Sequence, residues 1–445
     1  MSVVIPPQGG ASEPEAGLPL VVPNWVDRGK RWVGILAAYF STQTVTQLAG
    51  IVAGLLLINF MPVQEYALYT LAMSVVAFFT FATDLGATSS LLYFSRESKQ
   101  AGEPFEPFVA ALLSLRRAVF AGGTLAVLVA FPFLATRKGF GTPPALLAAV
   151  AIVLTVGFQI TGSVRVLVLR LADRYGRSYR AELAAGVTRL GVVAVLITAS
   201  LLFAWTGVLG NALAAGSLAL VAGSAVVSRA PAIGLAPYRR KIVRYLLPTI
   251  PSALYYSIQG PLVVWLAAAF GGTRNIAEVG ALGRLGLIVG LFSGLGGVVF
   301  LPRLASVTDD RVYFRRFTQF CIVLTLVGIG FVALAASVPD VFLLLIGPRY
   351  RGLHAELVLV VTAAALTLVG GYLVAVNTAR SWTRLQPFMT MLTVCTQLVL
   401  ILTMSLADTS SVLRFGLVTG AVNLLGQIAV SGIGFLRPRA VLWRP

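Results

Sequence analysis

Residues 61–98 read MPVQEYALYTLAMSVVAFFTFATDLGATSSLLYFSRES. From Tyr66 to Phe94 this stretch is apolar, aromatic or small apart from one carboxylate, Asp84, and the charges Arg96, Glu97 and Lys99 begin where it stops. A helix crosses a bilayer with about 20 predominantly apolar residues, so 66–94 is long enough to span. The same pattern fills the chain. Of 445 residues, 58% are hydrophobic and 11% charged, with a mean hydropathy of +0.89, well above what the core of a soluble domain needs. The sequence reads as an all-α polytopic membrane protein.

Dividing the chain at its charged and Pro/Gly-rich breaks gives twelve candidate transmembrane helices. The first six are 33–59, 66–94, 109–135, 144–169, 183–205 and 207–228; the others are 245–270, 276–301, 317–337, 355–378, 386–407 and 412–436. Lys and Arg resist translocation and collect in cytoplasmic loops. With the N-terminus inside, 25 of the 34 basic residues fall on the cytoplasmic side and 6 outside, leaving Arg165, Arg189 and Arg284 within helices. One miscounted helix would destroy that bias, so both termini are expected to be cytoplasmic. The expected organisation is a mobile cytoplasmic tail (1–31), a six-helix lobe (32–228), a basic cytoplasmic linker (229–244), a second six-helix lobe (245–436) and a cytoplasmic tail (437–445). The net charge of +18 then follows from topology and from attraction to anionic membrane lipids. It gives no case for nucleic acid.

An internal repeat supports the two lobes. Tyr39 and Gln43 of the first helix recur as Tyr255 and Gln259 of the seventh, and Glu65 opening helix two recurs as Glu278 opening helix eight. The loop after helix three, around Lys138, resembles the loop after helix nine, around Arg349.

One histidine and two cysteines set in apolar segments offer no metal-ligand spacing and no His-based triad. No Walker A sequence is present, so ATP hydrolysis by this chain is not expected. The chemistry lies in the charges within helices, which are expensive there and face protein or a watery cavity. Arg189 and Arg284 each sit about seven residues into their helices, about 10 Å deep; Arg165 is nearer an end and can snorkel. Guanidinium pairs bidentately with phosphate oxygens and stays charged, so these arginines are candidates for binding an anion; the alternative is a structural ion pair. Asp84 reads as the counter-ion of a cavity arginine, as a site for coupling to Na+ or H+, or as a cap or neutral carboxyl. Tyr39, Gln43 and Gln47 form one helical stripe, and Ser252, Tyr255, Tyr256 and Gln259 another. Such stripes bind sugars or hold helices together. Pro248 and Pro251 are expected to bend or break the start of helix seven.

The stretch 61–98 and the later LLLIGPRYRGLHAELVLVVTAAALTLVGGYL, residues 343–373, resemble the Wzx-type polysaccharide transporters. These belong to the multidrug/oligosaccharidyl-lipid/polysaccharide (MOP) exporter superfamily, with the lipid II flippases and the MATE antiporters. The resemblance spans about residues 30–436. It implies a flippase rather than an enzyme, one that moves an undecaprenyl-pyrophosphate-linked oligosaccharide across the bacterial cytoplasmic membrane by alternating access. It also implies surface polysaccharide biosynthesis, with a polymerase and glycosyltransferases as partners and no cofactor beyond a Na+ or H+ gradient. Arg284 resembles the cavity arginine of helix eight in lipid II flippases, whereas their first-helix arginines are replaced here by Tyr39, Gln43, Thr46 and Gln47. A lipid II flippase and a cation-coupled MATE antiporter remain alternatives. A membrane glycosyltransferase or polymerase would need a longer external loop or a carboxylate pair.

Overall fold

The opening stretch folds as two helices, not one. In the computed structural model, α2 (Val63–Asp84) stops just before Gly86, whose φ of 84° is left-handed, and α3 (Ala87–Ala101) runs on to Gly102, again left-handed at φ 67°. Glycine reaches that region without a Cβ clash, and so it ends the helix. The expected span 66–94 is therefore corrected: α2 alone crosses, and Asp84 is its last residue and not an interior one. Leu91, Phe94, Ser95 and Ser98 are buried while Leu92 and Tyr93 are exposed, the pattern of an amphipathic helix.

The structure describes residues 44–84, 86–102, 104–223, 234–247, 250–292, 304, 309–380, 382 and 385–436. Within these the chain is helical between its turns, with no strand among the described residues. The first half comprises α1 (Thr44–Phe60), α2, α3, α4 (Glu106–Arg137), α5 (Thr142–Leu171), α6 (Tyr175–Thr198) and α7 (Ala204–Ala222). Next come α8 (Ala236–Leu246), α9 (Ile250–Phe270) and α10 (Thr273–Gly290). The chain continues through α11 (Asp310–Ser337), α12 (Pro339–Ile346), a 3-10 turn (Pro348–Tyr350), α13 (His354–Ala379), α14 (Gln386–Thr403) and α15 (Thr409–Leu436).

Ten of these helices are long and apolar enough to cross a membrane, and they coincide with ten of the twelve expected spans. The first expected span is described only over α1, and the eighth corresponds to α10, which carries Arg274, Glu278 and Arg284. Large apolar side chains such as Leu125, Leu220 and Leu402 point outward, as lipid-facing helices require. The tails 1–31 and 437–445, together with Tyr39, Gln43 and Pro248, lie outside the described residues. The basic helix α8 overlaps the expected linker 229–244, and α9 begins at Ile250 with Pro251 in its first turn.

Helices α4, α5, α6 and α7 pack among themselves, as do α11, α13, α14 and α15, while α2 packs against α9 and α10 to join the halves. The repeat reappears as matched contacts. Glu65 Oε2 accepts from the backbone N–H of Ala204 at 2.7 Å, and Glu278 Oε2 accepts from Thr409 Oγ1 at 2.6 Å. Each acid thus sits at the N-terminus of the last helix of its own half, α7 or α15, where the helix dipole favours negative charge. The loop cations match too. Lys138 Nζ donates to Ala269 O at 3.1 Å at the end of α9, and Arg349 Nη1 donates to Met61 O at 2.6 Å just past α1. Each half therefore reaches over the other at the end of the bundle that the charge bias assigns to the outside.

Candidate functional site

Arg189 of α6 and Arg284 of α10 meet at one cavity of about 90 Å³, together with Gln159, Tyr69 and Asn211. Its wall on α1 is formed by Gly50 and Gly54, one turn apart. A Cβ at Gly50 would lie 3.1 Å from Arg189 Nη1, and one at Gly54 would lie 3.2 Å from Arg284 Cδ. Only glycine lets two guanidinium groups lie directly on a helix backbone in this way. Arg284 comes from the second half of the chain yet fills a pocket of the first. By helical rise its Cα is about 16 Å from the start of α10 at Thr273 and about 9 Å from its end at Gly290, away from either terminus.

The partners of this pair are weak and neutral. Arg284 Nη2 reaches Tyr69 Oη at 3.4 Å, with its guanidinium carbon 6.0 Å from the Tyr69 ring centroid. Asn211 Nδ2 meets the same hydroxyl at 3.4 Å, and Gln159 Oε1 accepts from Thr80 Oγ1 at 2.6 Å. Arg189 Nε is buried without a hydrogen-bond partner. No carboxylate bridges to Arg189 or Arg284 among the described residues. Two fixed cations with an orphaned buried donor and no counter-ion form a site electrostatically suited to an anion.

Asp84 does not serve these arginines. Its Oδ1 lies 3.4 Å from Nη1 of Arg116, which is 4% exposed and also donates to Ser163 Oγ at 3.2 Å. Asp84 thus faces Arg116, which does not line the arginine cavity. Arg116 stands seven residues into the expected span 109–135, about the same depth as Arg189 and Arg284 in theirs, although the charge bias groups it with the cytoplasmic residues. Arg165 is also outside the cavity: its Nη1 donates to Ala219 O of α7 at 2.7 Å. Gln47 is exposed on α1.

The other stripe lies in the second half. Tyr256 and Gln259 line a cavity of about 500 Å³ between α9, α13, α14 and α15, and Tyr255 lines a small pocket beside it. Gln259 and Gln397 exchange amide hydrogen bonds of 3.0 and 2.8 Å, and Gln386 donates to Tyr256 Oη at 3.0 Å. Sequence reasoning found the α9 side of this wall but not Gln397, Thr419 or Asn423, which come from two other helices. Asn423 and Thr419 stand one turn apart on α15, the only signal that could have joined them to it.

Solved structures share this arrangement of helices. The lipid II flippase MurJ in an inward closed conformation superposes with a TM-score of 0.70 at 10% identity, covering 89% of each chain. The fold is the one MurJ and the MATE transporters share. An inward-facing MATE multidrug resistance transporter of the MOP superfamily gives 0.64 at 16% identity, over 88% of this chain and 96% of its own. A MATE protein in complex with MaD3S gives 0.60 at 15% identity, over 90% and 96%. Neither a family model nor a curated protein sequence matches the chain. On this fold, the arginine cavity lies where first-half helices meet α10 of the second half.

Proposed function

We propose that this protein is a flippase of the bacterial cytoplasmic membrane that carries an undecaprenyl-pyrophosphate-linked oligosaccharide for surface polysaccharide synthesis. The observation that carries the reading is the meeting of Arg189 and Arg284, without a carboxylate, at a cavity walled by Gly50 and Gly54. A pyrophosphate supplies the oxygens the two forks lack, and guanidinium holds it in a geometry that ammonium does not. Because Arg284 belongs to α10 and Arg189 to α6, an anion between them is gripped by both halves, and its arrival or release biases how they sit against each other. The MATE antiporter reading fits less well, since two unpaired cations repel a cationic drug or ion. A lipid II flippase shares the need for a pyrophosphate site and differs in the sugar.

The test is the Arg189→Ala, Arg284→Ala double variant. Surface glycan should disappear while the protein stays in the membrane, and Lys at both positions should restore only part of it. Unimpaired export in the double Ala variant rejects the proposal.

A further inference from the structure

The larger cavity has no role in holding pyrophosphate. It is about 500 Å³ in volume, within the range of ligand sites, and none of its lining residues is Asp, Glu, Lys, Arg or His. Its polar groups are Tyr256, Gln259, Thr367, Gln397, Thr419 and Asn423. Thr419 is 8% exposed, and its hydroxyl is buried with no hydrogen-bond partner. The hydroxyl of Tyr255, which lines the adjoining pocket, is likewise buried and unpartnered. Gly371 and Gly420 face empty space, since a Cβ at either would meet no atom within 4 Å. Buried hydroxyls left without partners beside open space are uncommon in a finished core.

We infer that this cavity is a second substrate site, which takes the uncharged saccharide part of the glycan while the arginine cavity holds the pyrophosphate. The inference rests on the proposed function and assigns the sugar a place of its own. The chemistry selects the ligand. A phosphate would find no cation here, and a metal or organic cation would find no carboxylate. A purely apolar chain would leave Thr419 and Tyr255 unpaired. A sugar hydroxyl both donates and accepts, as do side-chain amides and hydroxyls. The Gln259–Gln397 pair and the Gln386–Tyr256 bond hold that wall in place before the ligand arrives, and Leu262, Val263 and Phe415 give its C–H faces apolar contact.

The experiment fills the cavity without straining the fold. Leucines at Gly371 and Gly420 project into open space and raise helix propensity. Thr419→Val removes the unpartnered hydroxyl at nearly constant shape. Two quantities are read for each variant: surface polysaccharide in cells that depend on the gene, and binding of bare undecaprenyl pyrophosphate to the purified protein. Gly371→Leu with Gly420→Leu should lower polysaccharide at least tenfold and leave bare-lipid affinity within twofold of the parent. Thr419→Val should lower polysaccharide about threefold without loss of thermal stability, since no protein hydrogen bond is removed. Normal polysaccharide in both variants overturns the inference. A parallel loss of bare-lipid binding also overturns it and places the isoprenoid chain in this cavity. The Arg189→Ala, Arg284→Ala variant separates this outcome from failure of the flippase reading. If that variant keeps both polysaccharide and bare-lipid binding, the proposed function itself falls. If it loses both while the leucines change nothing, only the second site falls.

Discussion

The two cavities are both floored by glycine, and the glycines are used in opposite ways. At Gly50 and Gly54 the missing side chains are replaced by guanidinium groups packed within 3.1 to 3.2 Å of where a Cβ would be, leaving about 90 Å³. At Gly371 and Gly420 nothing replaces them, and about 500 Å³ stays open. Charge therefore lies where space is tight, and neutral polar groups lie where space is ample. A small, partly buried cavity keeps the field of two cations strong, while a roomy neutral one can accept a bulky ligand of variable shape. The difference teaches that glycine count alone does not reveal a binding site; what occupies the vacated volume does.

The strongest way to break this contrast is to make the same substitution on both sides. Gly54→Leu drives its side chain into Arg284 and removes one guanidinium from the anion site. Each charged hydrogen bond is worth about 1.5 to 3 kcal/mol, so losing one fork should weaken bare undecaprenyl pyrophosphate binding about 100-fold. Gly420→Leu should leave that affinity nearly unchanged. Titration of the lipid onto both purified variants is the measurement, and equal losses would show that the cavities are not functionally distinct.

A second comparison sets the arginine that has a carboxylate against the two that have none. Asp84→Asn leaves Arg116, 4% exposed, without its ion-pair partner. Removing one member of a well-buried pair costs about 3 to 5 kcal/mol; with Asp84 27% exposed, about 2 kcal/mol is the expected loss. Thermal unfolding in detergent should show it, and Asp84→Asn with Arg116→Met should recover part of it. Arg284→Met, by contrast, should not lower stability, because no carboxylate is stranded. If Asp84 instead couples transport to an ion, its Asn variant keeps full stability and loses gradient dependence.

Much of this was legible in the sequence because membrane insertion leaves strong marks. The apolar runs located ten crossing helices, and the cost of intramembrane charge singled out Arg189 and Arg284, which the fold does bring together. The Glu65 and Glu278 match was visible as well, and its physical basis, each acid at the N-terminus of its half's last helix, emerged only in three dimensions. The Asp84 partner was not legible. Which arginine a carboxylate meets depends on how helices pack, and Arg116 stands beside Arg117, a pairing that reads as a cytoplasmic cluster. Nor was the break at Gly86, since a glycine in an apolar run is common in membrane helices and marks a stop only where tertiary packing gives it a positive φ. The second-half cavity was half visible, because a stripe on α9 is periodic while residues contributed by α14 and α15 share no local pattern with it.

The smallest expected effect concerns the two matched reaches across the end that the charge bias assigns to the outside. Arg349 donates to the carbonyl of Met61, a residue with 0% exposure, whereas Lys138 donates to Ala269 O at a more exposed position. Removing Arg349 strands a buried acceptor and should cost about 1 kcal/mol of the closed arrangement; removing Lys138 lets water take over and should cost about half of that. In population terms Arg349→Ala should open this end about fivefold more often and Lys138→Ala about twofold. The two sites share no partner, so the double variant should multiply to about tenfold. Spin labels at Gly141 and Gly352, one on each half, report the open fraction as a change in their distance distribution. An effect of Lys138→Ala exceeding that of Arg349→Ala would mean that the buried Met61 carbonyl finds another donor and that the two reaches, though related by the repeat, are not equivalent in closing this end.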